Sequence, residues 1–502
     1  MTLISRRQVL GGAAGSVGLL ALGACGEVTS AVTPHSAAVR ATEAARRVAG
    51  QRTVTGLLTP RPVTLDLGGP IVRTWAYGEH LPGPLLRAKA GDQLRIVVDN
   101  QLPTETSVHW HGIALRNDMD GVPGITQDPI LAGRRFTYEF TAPDPGTYFY
   151  HPHVGVQLDR GLYGVLLVDD PADTGNYDAE WTVVFVGWID GTGRTPDQVL
   201  TDLSGPGQSA AGSGGMSGMG DGSTDGTGMS GMGEALTSPI LGGAGDISYP
   251  HYLANGRVPA GAETFHAKPG QKVRLRLINA GSDTAFRVAL AGHQLTVTHT
   301  DGYPVRSVST DALIIGMGER FDVEVTAADG VFPLVASAEG KPGQALAFLR
   351  TGAGRSPEAT AKPSELNRRV LLGNDLRAAD PVRLADRGID RTHTLTLGGT
   401  MSGYRWTING KAFPKTSPLP VTKGQRVRLR MINHSMMFHP MHLHGHTFAS
   451  TRGGARKDTI IVRPMQTVEV DFDAVNPGQW ATHCHNIFHA ERGMMTTLSY
   501  RS

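Results

Sequence analysis

Cysteine is almost missing from this chain: its 502 residues include two, Cys25 and Cys484. Cys25 falls in an export signal and Cys484 in a metal motif, both set out below, so a disulfide framework is excluded and stability must come from apolar cores. Aromatic residues are sparse at 6%, and no long stretch repeats apolar residues at helical spacing, which argues against a helix bundle. Charge of one sign does not prevail either. Lys and Arg total 47 against 45 Asp and Glu, a net charge of +2, which excludes the concentrated basic footprint of a nucleic-acid-binding protein. Turn residues are plentiful, with 65 Gly and 31 Pro. A chain of this length buries large cores over roughly two to four domains. With so many turn residues, the expectation is an all-β protein.

The first residues read as processing signals. Twin arginines in SRRQVL (Ser5 to Leu10) precede an apolar run from Val9 to Ala24, the pattern of a twin-arginine export signal. The run ends in LGAC, with Cys25 placed as the lipidated residue of a bacterial lipoprotein. Residues 1–51 are therefore expected to be signal and Ala-rich tether. The protein would be held by a lipid anchor on the outer face of the cytoplasmic membrane, with no other membrane contact.

An internal repeat sets the domain plan. AKAGDQLRIVVDN (Ala88 to Asn100), AKPGQKVRLRLIN (Ala267 to Asn279) and VTKGQRVRLRMIN (Val421 to Asn433) share a Gly, an alternating strand and an Asn at one spacing. Copies this far apart imply related domains rather than a solenoid. The predicted fold is three Greek-key β-sandwiches, over 52–173, 177–354 and 365–502, with a Pro-containing linker from Ser356 to Leu366. A Gly/Ser-rich segment, 204–233, interrupts the second. Its apolar residues are Met216, Met219, Met229 and Met232, in two MSGM repeats.

The same offsets locate the chemistry. Nine and eleven residues past the repeat Asn stand His109 and His111 in the first copy and His442 and His444 in the third. In the middle copy they are Val288 and Leu290, so that domain is expected to hold no metal there, and its His293 and His299 read as structural. A further pair, His151 and His153, lies in YFYHPHVG. Near the C-terminus, THCHNIFHAERGMM places His483, Cys484 and His485 in succession, then His489 and Met494. Side chains alternate along a strand, so His483 and His485 face one way and Cys484 the other. One peptide can then serve two metal centres. A thiolate, an imidazole and a weak thioether are half of a blue-copper electron-transfer site, and His439 is the candidate for its second imidazole.

These motifs closely resemble the multicopper oxidases, above all their exported actinobacterial members, across essentially the whole mature chain. The resemblance implies three cupredoxin-like domains and four copper ions. A type 1 copper would take His439, Cys484, His489 and axial Met494. A type 2 copper would take His109 and His442, and a type 3 pair His111, His151, His153, His444, His483 and His485. Asp120 in NDMDGVPG matches the family's acidic residue for proton delivery. The carboxylate that many relatives carry after the second type 1 histidine is replaced by Ala490, which leaves Glu491 as the candidate. The segment HSMMFHP resembles a Cu(I) substrate site in which Met436 and Met437 match and Ser435 replaces an Asp. The implied activity is one-electron oxidation of Cu(I), and secondarily of Fe(II) or small phenols, coupled to four-electron reduction of O2 in copper detoxification. The Met-rich segment would capture Cu(I), since thioethers favour that ion. The alternatives are a general laccase, or a surface protein that only sequesters copper.

Overall fold

Each repeat strand lies at the same place in one of three cupredoxin-like β-sandwiches in the computed structural model, which describes residues 30–173, 175–205, 236–400, 402–450 and 453–502. Gln93–Asp99 runs between Thr53–Leu58, parallel to it, and Arg135–Thr141, antiparallel. Lys272–Asn279 lies likewise between Ala179–Trp188 and Arg320–Thr326. Arg426–Asn433 lies between Arg391–Thr400 and Thr467–Asp473. The shared Gly and Asn have physical reasons. Gly91, Gly270 and Gly424 have φ of 89°, 82° and 92°, left-handed backbone that favours glycine.

The Asn ends each strand with three side-chain bonds that hold the next loop. Asn100 Nδ2 donates to Thr104 O and Ile130 O, and its Oδ1 accepts from Leu102 N. Asn279 does the same with Thr284, Ile315 and Gly281, and Asn433 with Met437, Val462 and Ser435. All three are fully buried, where a lost partner would leave polar groups unsatisfied. The second sheet of each sandwich then receives the next strand: His109–His111, Phe286–Leu290 or His439–Leu443. Val288 and Leu290 sit in the middle core with no exposure, so the middle copy fills with aliphatic side chains the place where its neighbours carry imidazoles.

Two boundaries differ from the sequence reading. The third sandwich was expected from residue 365, yet Val370–Leu372 pairs in parallel with Ala312–Ile315 and completes a sheet of the middle one. The first strand of the third sandwich is Arg391–Thr400. The expected tether, where described, is docked. Ala31 bridges Arg501 and Val32 N donates to Tyr500 O at 2.8 Å, both in the third sandwich. Helix Ala37–Arg46, capped by Ser36, then lies on the first, where Glu43 accepts from Thr141 N and Oγ1, each at 2.9 Å. Cys25 and the Met-rich repeats lie outside the described residues. No helix among those described is long and apolar enough to cross a membrane.

Candidate metal centres

The C-terminal peptide alternates as its sequence requires. Strand Gln479–Cys484 pairs with His439–Leu443, placing Cys484 opposite Met441 and His483 opposite His442. Asn486 then caps helix Ile487–Glu491, accepting from Phe488 N and His489 N, and that turn swings His489 back over Cys484. The resulting thiolate site is a triangle. His439 Nδ1 is 3.1 Å from His489 Nδ1, and Cys484 Sγ is 3.5 and 3.7 Å from them. That donor set and spacing suit a trigonal His2Cys copper site. Met494 is fully buried beside it, its carbonyl accepting from Cys484 N at 3.1 Å.

On the other face, eight imidazoles from the first and third sandwiches meet. Their nitrogens fall into three groups: His109, His111 and His442; His111, His151 and His485; His153, His444 and His483. His109 stacks on His444 and His111 on His442, each pair 3.9 Å apart, so the two sandwiches contribute in near-symmetrical fashion. Six ring nitrogens here have no hydrogen-bond partner among the described residues: His109 Nε2, His111 Nδ1, His151 Nε2, His442 Nε2 and both of His485. Each would cost about 1–3 kcal/mol if left buried and unpaired. The opposite nitrogens are tied down. His109 Nδ1–H donates to Asp120 O, His442 Nδ1–H to Asp458 O and His151 Nδ1–H to Pro152 O, at 2.8–2.9 Å. One nitrogen fixed by an oxygen and the other aimed into a shared cavity is how metal-binding histidines are held. The residues fit copper.

Electrostatics agree. Burial, then neighbouring imidazoles, holds His111, His151, His153, His444 and His485 well below the ordinary histidine range. They are neutral, the form that binds metal. Burial pushes the Cys484 thiol well up, so a metal must displace its proton.

Of the acids expected from sequence, Asp120 is at the cluster wall. Its Oδ2 accepts from His444 Nδ1 at 2.9 Å, while Oδ1 has no hydrogen-bond partner among the described residues. Glu491 is not there. It ends the short helix after Ala490, where burial pushes its carboxyl up to about 7, and it is outside the groups of ligand atoms at either centre. Met436 is 72% exposed. A Cβ added at Gly243, in the middle sandwich, would lie 2.9 Å from Met437 Sδ. Between repeat and ligand, Ser435 Oγ accepts from His439 Nε2–H at 2.7 Å.

Three residues were missed. Asp246 Oδ2 accepts from His489 Nε2–H at 2.7 Å and from Tyr404 O–H at 2.6 Å. Asp458 Oδ1 accepts from His111 Nε2–H at 3.2 Å and pairs with the third, Arg320. None lies in a cluster of ligand-type residues, so spacing gave no sign of them.

Sequence models of the multicopper oxidase family match residues 62–173, 220–354 and 387–502. The multicopper oxidase MmcO of Mycobacterium tuberculosis is 51% identical over 99% of this chain and 96% of its own length. A copper resistance protein A homolog of Pseudomonas syringae pv. tomato is 30% identical, covering 82% of this chain and 87% of its own. Among solved structures, the multi-copper oxidase of Pseudomonas thermotolerans matches with a TM-score of 0.66 and 27% identity, over 90% of this chain and all of that one.

Proposed function

Because the chain belongs to the multicopper oxidase family, we propose that it oxidises Cu(I) with O2 as acceptor, on the outer side of the cytoplasmic membrane, and so detoxifies copper. Four Cu(I) ions and four protons reduce one O2 to two waters. The thiolate site would hold one copper of type 1 through His439, Cys484 and His489, with Met494 beside them. His109 and His442 would hold a type 2 ion, and the remaining six imidazoles a type 3 pair. Bound copper supplies the one-electron transfers and the reduction of O2. The chain supplies the path, since Cys484 is covalently continuous with His483 and His485. Asp120 holds and passes protons at Oδ1.

The observation that carries the Cu(I) reading is the cover of the thiolate site. His439, Cys484 and His489 are wholly buried, and the loop that reaches His439 through Ser435 exposes Met436 and sets Met437 against Gly243. A soft ion can dock on such a cover. The described chain resumes at Leu236, seven residues before Gly243 beside Met437. This connection supports Cu(I) capture by the Met216, Met219, Met229 and Met232 segment. Fe(II) and small phenols are secondary reductants. Lipidation at Cys25 supplies the anchor.

The test is oxygen consumption with Cu(I) and with a phenol. The wild type is compared with Met436→Ser/Met437→Ser and with a variant carrying Ser at the four loop methionines. Selective loss of Cu(I) turnover supports the proposal. Good phenol and poor Cu(I) turnover in the wild type would make the protein a laccase, and copper binding without sustained oxygen uptake would leave a sequestering protein.

A further inference from the structure

We infer that the middle domain, none of whose described residues joins a group of metal-ligand atoms, is a working part of the cluster: Arg320 holds Asp458, and Asp458 positions His111 and His442. The argument begins with the cost of the arrangement. Arg320 and Asp458 are both fully buried, and a buried guanidinium is tolerated only with its donors satisfied. Arg320 satisfies them across all three domains. Its Nε donates to Thr147 O of the first at 3.0 Å, and Nη1 to Gly318 O of its own at 3.0 Å. Nη1 and Nη2 form a fork on Asp458 Oδ1 and Oδ2 of the third, at 2.8 and 2.7 Å. A two-pronged pair fixes the plane of the carboxylate as well as its position.

That plane matters because Asp458 has two further partners in the cluster. Oδ1 accepts from His111 Nε2–H, and the carbonyl from His442 Nδ1–H. The nitrogens left over are His111 Nδ1 and His442 Nε2, two of those directed into the cavity without a partner. The glycine after His111 belongs to the same device. A Cβ at Gly112 would lie 2.3 Å from Arg320 Nη2 and 2.7 Å from Asp458 Oδ2, so HWHG leaves room for the ion pair directly behind the ligand.

Asp458 has a counterpart in Asp120. Each accepts from a histidine of its own sandwich through its carbonyl, and from one of the opposite sandwich through its side chain. The two differ in the remaining oxygen: among the described residues Asp120 Oδ1 accepts no hydrogen bond, and Asp458 Oδ2 is taken by Arg320. The middle domain has turned one of two equivalent carboxylates into a fixed support. This rests on the copper assignment and is independent of which reductant the enzyme uses.

The experiment compares copper-loaded wild type with Arg320→Gln, Arg320→Lys and the isosteric Asp458→Asn. It reads copper affinity by chelator competition, the type 2 electron paramagnetic resonance signal, and the blue band of the Cys484 site as a control for folding. Loss of a partner behind a ligand typically weakens metal binding about 10–100-fold. Arg320→Gln and Asp458→Asn are expected to lose that much affinity at the cluster and to alter the type 2 signal, with the blue band intact. Arg320→Lys recovers part of it, keeping the charge without the fork. Wild-type affinity and signal in Arg320→Gln and Asp458→Asn would overturn the inference. So would loss of the blue band together with the cluster in both, which would make the pair a folding requirement rather than a support for two imidazoles.

Discussion

Replacing Asp246 by Asn changes one charge at the thiolate site and little else. The amide oxygen of Asn can still accept from His489 Nε2–H and Tyr404 O–H, the two donors on Asp246 Oδ2. Burial works to raise the Asp246 carboxyl, but the His489 and Tyr404 bonds, with Lys341 nearby, hold it below its ordinary range, so the native residue is ionised. A hydrogen bond to a charged group contributes about 1.5–3 kcal/mol and a neutral one about 0.5–1.5. The difference, roughly 1–1.5 kcal/mol, favours the more positive partner, which is the oxidised site. For a one-electron couple, about 59 mV corresponds to a tenfold change in equilibrium constant, so Asp246→Asn should raise the type 1 potential by roughly 40–65 mV. Spectroelectrochemical titration of the blue band measures it directly. An unchanged or lowered potential would refute the claim that Asp246 acts on the site through His489.

Three further outcomes are expected. Gly318 has φ of 85°, and an added Cβ would lie 3.0 Å from His111 Cε1 and from His485 Cδ2. Gly318→Ala should therefore cost about 1–3 kcal/mol in backbone strain and strip copper from the cluster while the blue band survives, as metal analysis and absorbance will report. Burial raises the Asp159 carboxyl from 3.8 to about 7. A group raised this way stabilises the fold at low pH and loses that contribution as pH climbs from its unfolded value through about 7. The advantage of Asp159→Asn over wild type should then grow by about 2–3 kcal/mol between pH 5 and pH 8 in denaturant unfolding; a constant difference would contradict it. With its thiol pushed up by burial, Cys484 stays protonated in the copper-free protein. Copper loading in weak buffer should release one proton fewer from Cys484→Ser than from wild type.

The readable part of this molecule was whatever recurs at a fixed interval. Gly91 to Asn100 and its two copies could be aligned because a left-handed turn and a loop-holding amide are needed at both ends of the same strand. The H-x-H offsets followed from that register. Cys484 between two histidines was legible because strand alternation leaves no other arrangement. The pairing of residues across domains was hidden. Asp120 stands nine residues after His111 and Asp458 fourteen after His444, so loops of different length conceal their equivalence. Asp246 follows a low-complexity segment and resembles an ordinary turn acid. Val370–Leu372 is too short to stand out beyond a linker. Helix Ala37–Arg46 was legible in principle, with Ser36 as cap and five Ala behind it; composition was read there as a tether.

The middle domain shows why a copy with aliphatic residues at the ligand positions is still needed. Val288 and Leu290 make its own core self-sufficient, and its surface is committed to the other two domains. One edge bears on the thiolate site. There Asp283 pairs with Lys341, accepts from Asp246 N and Ile247 N, and accepts from Asn486 Nδ2 at 2.7 Å. A single carboxylate thus steadies both Asp246 behind His489 and the residue that caps the His489 helix. The other edge bears on the cluster through Gly318 and Arg320. His489 and His111 belong to different groups of ligand-type residues and different sandwiches, yet each is held from behind by a carboxylate that the middle domain supplies or clamps. Fixed ligand positions limit the rearrangement required when charge at a centre changes. A sandwich without ligands can set those positions for both centres, because its own packing does not depend on metal.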